Sequence, residues 1–176
     1  MVKVITGIRR CGKSFLLFTI FKRYLLEAGV DADHIIEIAL DGIESEELRN
    51  PKVCFKFIKD AMKDSGRYYL LLDEVQFMPR FEEVLNSLLR LGNIDMYVTG
   101  SNSKFLSSDI ATEFRGRGDE VRVHPLSFAE FYSAYDGDYD EAWEDYMIYG
   151  GLPQVAGFQS DRQKAEYLKN IFANVY

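Results

Sequence analysis

Gly7, Gly12, Lys13 and Ser14 occupy the fixed positions of a G-x-x-x-x-G-K-S pattern within Gly-Ile-Arg-Arg-Cys-Gly-Lys-Ser at 7–14. Two glycines in such a loop let the backbone turn successive N–H groups toward one anion. The lysine supplies a cation for β- and γ-phosphate oxygens, and the serine hydroxyl is a hard oxygen suited to Mg²⁺. The implied chemistry is binding of a nucleoside triphosphate with magnesium. The expected nucleotide contact is the stretch Gly7, Arg9, Arg10, Cys11, Gly12, Lys13, Ser14 and Phe15. Arg9 and Arg10 can face phosphate or solvent on this reasoning, and Cys11 reads as a small loop filler rather than a redox switch.

A second group of residues agrees with the first. Tyr68-Tyr-Leu-Leu-Leu-Asp73-Glu74 is an apolar run closed by two carboxylates. A continuous apolar run suits a parallel strand buried on both faces, and ligands bind at the carboxyl ends of such strands. Asp73 is the expected magnesium residue beside Ser14, and Glu74 the expected base for an attacking water. A solvated strand end is the plainer alternative. Ile94-Asp-Met-Tyr-Val-Thr-Gly100 reads as a further strand, and Asn102 just beyond it could sense the γ-phosphate. Asp41-Gly42 closes another strand at the same sheet edge, where Asp41 reads as a turn residue or a site contact.

The elements that must carry these residues follow from periodicity. The pattern gives strands over 2–6, 34–40, 68–73, 94–99 and 119–124, and helices over 13–28, 51–64, 80–91 and near 103–111. Such alternation implies an α/β fold, with a parallel sheet and helices on both faces. After Pro125 the pattern is helical. Ser127-x-x-Glu130 is a capping box opening Phe128–Tyr135, and Ser160-x-x-Gln163 opens a last helix with Tyr167, Leu168, Ile171 and Phe172 on one face. The expected division is a nucleotide-binding core over 1–125 and a helical lid over 126–176.

Composition narrows the class. At 176 residues, 47% of them hydrophobic, the chain can bury a substantial core. No run approaches the length needed to cross a bilayer and no signal sequence opens the chain, so a soluble cytoplasmic protein without a membrane partner is expected. The two cysteines fit that compartment, with Cys54 on a helix face. A net charge of −7 leaves no nucleic-acid footprint.

The motifs together resemble a family. G-I-R-R-C-G-K-S at 7–14, L-L-L-D-E-V-Q at 70–76, T-G-S-N-S at 99–103, G-R at 116–117, P-L-S-F-x-E-F at 125–131 and Y-G-G-L-P at 149–153 follow one another in that order. The set resembles the prokaryotic AAA-type P-loop ATPases (AAA+ superfamily) that carry a C-terminal domain of unknown function. That resemblance implies a P-loop NTPase sheet of strand order 5-1-4-3-2, ATP as the nucleotide, and ATP hydrolysis with Mg²⁺. It implies that Lys13, Glu74, Asn102 as first sensor, and Arg117 as arginine finger are the catalytic set, with Arg115 a rival finger. A finger acting in trans implies a homo-oligomer. Relatives carry residues before the first strand and continue past the position of Tyr176, so the chain reads as the ATPase module alone. A nucleotide switch with negligible turnover and a P-loop kinase are the alternatives, the kinase disfavoured by Glu74.

Overall fold

The computed structural model describes residues 1–100 and 118–175, with side chains as far as residue 173. The helix expected near 103–111, together with Asn102, Arg115 and Arg117, lies outside the described residues. Contacts divide the chain into two units. The first comprises Met1–Gly7 with Lys13–Arg122, and the second Ile8–Gly12 with Val123–Tyr176.

The first unit is built on five parallel strands: β1 (Val2–Thr6), β2 (Ile35–Ala39), β3 (Tyr68–Asp73), β4 (Ile94–Thr99) and β5 (Gly118–Arg122). Their order across the sheet is β2-β3-β4-β1-β5, the expected 5-1-4-3-2 order read from the other edge. The register pairs Val4 with Val98, Leu72 with Val98 and Ala39 with Asp73, so the strand tips that carry the motifs align along one edge. β3 is central enough to need no polar face: Leu70, Leu71 and Leu72 are all fully buried. β5, at the sheet edge, is mostly exposed and charged. There Lys3 pairs with Asp119, and the Thr6 hydroxyl donates to Glu120 at 2.7 Å.

Strand alternation sorts the core into two layers. Val2, Val4, Leu70, Leu72, Met96 and Val98 face one side, where they pack with Cys54 and Ile58 of α2 (Pro51–Ala61) and Val84, Leu85 and Leu88 of α3 (Phe81–Leu89). Asn50 starts α2 by accepting the N–H groups of Lys52 and Val53, with Pro51 at the first helical position. On the opposite face lies α1, which runs through Lys13–Phe15, a π-helical stretch Leu16–Phe21 and Lys22–Glu27. Phe21 of that stretch sits 4.3 Å from the ring of Tyr97. Apolar periodicity finds this helix but does not distinguish α from π winding, because Leu-Leu-Phe-Thr-Ile-Phe offers apolar residues to either.

The second unit contains α4 (Phe128–Ser133), α5 (Tyr139–Tyr149) and α6 (Asp161–Val175) around Phe131, Ala142, Val155, Ala156 and Tyr167. The capping box is present: Ser127 accepts from the Glu130 N–H, and Glu130 accepts from the Ser127 N–H at 2.8 Å. Ser160 likewise accepts from the Gln163 N–H. The two motifs P-L-S-F and G-G-L-P meet at one place. Leu126 N–H donates to the Gly151 carbonyl at 2.7 Å, and a Cβ on Gly151 would lie 2.1 Å from the Leu126 carbonyl oxygen. Only glycine fits that approach. Of the four residues expected to share one face of α6, Tyr167, Leu168 and Ile171 pack into this core, whereas Phe172 is largely exposed.

Candidate functional site

The carboxyl edge of the sheet gathers polar side chains from three neighbouring strands. β1 ends at Thr6 and passes directly into Gly7, whose φ is 149°; Gly12 has a φ of 99°. Both lie where an L side chain is strained, so the glycines serve the conformational purpose their spacing implied. Lys13, at the first turn of α1, is buried and donates to the Gly7 carbonyl at 3.1 Å. Ser14 is exposed, as is Phe15, which carries 61% of its surface open.

At the tip of β3 the Asp73 carboxylate receives two hydroxyl donors, Ser14 from α1 and Thr99 from the tip of β4. Burial raises the Asp73 pKa above its ordinary value; the Ser14 and Thr99 hydrogen bonds oppose that rise, and the charges of Glu74 and Asp41 add to it. Glu74 has left-handed torsions, φ 54° and ψ 48°, an uncommon state for a residue with a side chain. Two contacts hold it there. Its N–H donates to the Thr99 hydroxyl at 3.2 Å, and its carboxylate accepts from the Gln76 amide. Thr99 is fully buried and thus braces both acidic residues with one hydroxyl.

The loop after β2 is held from another direction. Arg49 donates to the carbonyls of Leu40 at 2.8 Å, Asp41 at 3.2 Å and Gly42 at 3.1 Å, while its guanidinium lies 5.3 Å over the Phe77 ring. Asp41 is therefore a turn residue by its backbone contacts, and its charge is felt at Asp73.

The middle of the glycine loop packs within the second unit. Cys11 is buried, and its thiol donates to the Val123 carbonyl at 3.6 Å. The Arg10 guanidinium lies 5.3 Å over the ring of Tyr167, and Arg10 takes a left-handed φ of 65°. Arg9 is exposed.

The donor set suits magnesium held mainly by a nucleotide. Ser14 and Asp73 place a hydroxyl and a carboxylate together, both hard oxygen ligands. Among the described residues no group of three or more His, Cys, Asp or Glu could hold a metal ion.

Thr99, Gln76 and Arg49 are the site residues that motif spacing did not single out. Thr99 had a signal, since it is the last strand residue before Gly100, but a hydroxyl there has two uses and spacing favours neither. Gln76 reaches Glu74 two residues back because Glu74 turns with left-handed torsions, and Arg49 folds back onto the loop seven to nine residues upstream; neither turn is announced by a motif.

Comparison with known proteins agrees with this geometry. A family described as the AAA domain matches residues 1–132. An uncharacterized protein of Haemophilus influenzae is 33% identical over 99% of the chain, which covers 44% of that relative. The Walker-type ATPase PABY2304 of Pyrococcus abyssi superposes with a TM-score of 0.57 at 19% identity, covering 96% of this chain and 63% of that one. The ORC2 protein of Aeropyrum pernix, solved in its ADP form, gives 0.50 at 17% identity, covering 75% of this chain and 44% of that one. The chain spans less than half the length of the curated relatives it matches. It belongs to the AAA domain family, and that membership supports nucleotide binding.

Proposed function

We propose that this AAA-family chain binds ATP with Mg²⁺ and hydrolyses it. The observation that carries the proposal is the convergence of Lys13, Ser14, Asp73, Glu74 and Thr99 at one sheet edge. In this reading the N–H groups of the glycine loop and the buried Lys13 ammonium bind the phosphates. Ser14 and Asp73 hold the magnesium ion, which supplies charge neutralisation at the β- and γ-phosphates. Thr99 keeps Asp73 turned toward Ser14. Glu74 orients a water toward the γ-phosphate and takes its proton at a carboxylate oxygen. Asn102 and Arg117 complete the proposed catalytic set, Asn102 as sensor and Arg117 as finger from a neighbouring copy. A cytoplasmic location goes with this reading: both cysteines are free, and no described helix is long and apolar enough to cross a membrane.

One observation favours a second reading, a nucleotide switch with negligible turnover. The Glu74 carboxylate accepts from the Gln76 amide, and that hydrogen bond competes with an attacking water for one of its oxygens. Calorimetry and phosphate release separate the two readings. Lys13→Ala should abolish ATP binding. Glu74→Gln should retain it and lose at least about 10²-fold in turnover if Glu74 is the base. Unchanged affinity in the lysine variant overturns the site, and a wild-type chain that binds ATP without releasing phosphate establishes the switch. Arg117→Ala should cost roughly 10³-fold in kcat with little change in affinity. Partial recovery on mixing it with Glu74→Gln protein would place the finger in trans.

A further inference from the structure

From position 123 to 160 the chain carries seven Asp and Glu residues and no Lys or Arg. Some of these carboxylates are used inside the fold. Glu130 closes the capping box, Asp138 caps α5, and Asp145 is buried against Lys164 and the Tyr135 hydroxyl. Asp140 and Glu144 have no such use. They stand one turn apart on α5, exposed, with no ion pair among the described residues. Like charges at that spacing repel each other.

Beside them runs a stripe that a soluble helix would ordinarily not expose. Tyr139, Trp143 and Met147 recur at every fourth residue, with 56%, 44% and 67% of their surface open. Phe128 of α4 meets Tyr139 edge-on at 5.3 Å and Trp143 edge-on at 4.8 Å, and Tyr132 stacks beside it at 6.1 Å. The rings are thus held in fixed orientations while part of their area stays in water. Rigid aromatic rings next to unpaired carboxylates form a surface that attracts a planar cation: it stacks on a ring and forks onto a carboxylate. Guanidinium does both, whereas ammonium only approaches as a point charge.

We infer that the face of α5 formed by Tyr139, Trp143, Met147, Asp140 and Glu144 is a docking surface for an arginine-bearing basic segment of another protein. Charge argues against other occupants. A phosphate backbone or an anionic lipid surface is repelled by this stretch. A second copy meeting it face to face would set carboxylates against carboxylates. The surface is independent of nucleotide chemistry, since none of its residues belongs to the site at the sheet edge.

Trp143 is the sole tryptophan, so its fluorescence reports on this surface directly. The probes are alanine-based helical peptides bearing arginine at successive turns, with lysine and glutamate versions of equal length, titrated into the 176-residue chain at physiological ionic strength. Saturable change in Trp143 emission with the arginine peptide is expected, about two- to fivefold weaker binding with lysine, and none with glutamate. Tyr139→Ala combined with Glu144→Gln should weaken the arginine peptide about tenfold, read by anisotropy of a labelled peptide, with circular dichroism and ATP affinity unchanged. Equal binding of the lysine and arginine peptides would reduce the effect to bulk charge and overturn the proposal. So would undiminished binding by the double variant, or a Trp143 signal that moves with protein concentration alone.

Discussion

Replacing Thr99 by valine removes one hydroxyl and keeps the shape. Thr99 has no exposed surface, so the added methyl meets the same packing and no cavity opens. What is lost is the donor to Asp73 and the acceptor for the Glu74 N–H at 3.2 Å. A hydrogen bond to an ionised group contributes about 1.5–3 kcal/mol, and a buried donor left unpaired costs a further amount of similar order. Partial relaxation and water entry at the strand tip recover some of that, so a loss of about 2–4 kcal/mol is expected. For a chain of this size, that corresponds to a fall in Tm of about 5–12 °C. Differential scanning calorimetry of the nucleotide-free protein reads it, with Thr99→Ser as control because serine keeps both hydrogen bonds. ATP affinity should weaken with magnesium present and change little without it, because the hydroxyl acts through Asp73. If the valine and serine variants melt together, the hydroxyl does not brace the acidic pair, and the assignment of Thr99 is wrong.

Other perturbations test separate parts of the structure. Asp73→Asn should raise the Tm of the nucleotide-free protein at pH 7. The folded-state pKa of Asp73 is raised above 3.8, so the ionised group costs stability above both pKa values and nothing below them. The advantage of the asparagine should therefore narrow as pH falls toward 4, and a gain that grows on acidification would contradict the sign. Gly151→Ala should cost more than about 2–3 kcal/mol, because its Cβ would meet the Leu126 carbonyl oxygen at 2.1 Å and backbone must move; a stable variant in urea denaturation would refute that contact. Burial pushes the Cys54 thiol up to about 11, so a thiol reagent at pH 8 should modify it only after unfolding, and fast labelling of the native chain would show the helix is not packed as described.

The two anchors of the candidate site were legible in the residues alone because each is a local pattern. A glycine loop reads as such because two positive-φ positions, a lysine and a hydroxyl must be close in sequence to act on one phosphate group. The β3 strand reads as central because an unbroken apolar run has no polar face to give to water. The Ser127 capping box and the Ser160 cap each join residues three apart, so they too were readable. Fold class followed from alternation, while the order of the strands required the family resemblance, since periodicity places residues on faces and says nothing of neighbours.

Tertiary structure decided what depends on side chains far apart in sequence. Thr99 reaches Asp73 across 26 positions because β3 and β4 are adjacent and in register. Arg49 ties down the loop after β2, and Arg10 finds Tyr167, through contacts that no spacing rule encodes. Trp143 and Phe172 could each have been core by their chemistry. Their exposure was settled only when the helices were assembled, for burial is a property of what packs around a residue and not of the residue itself.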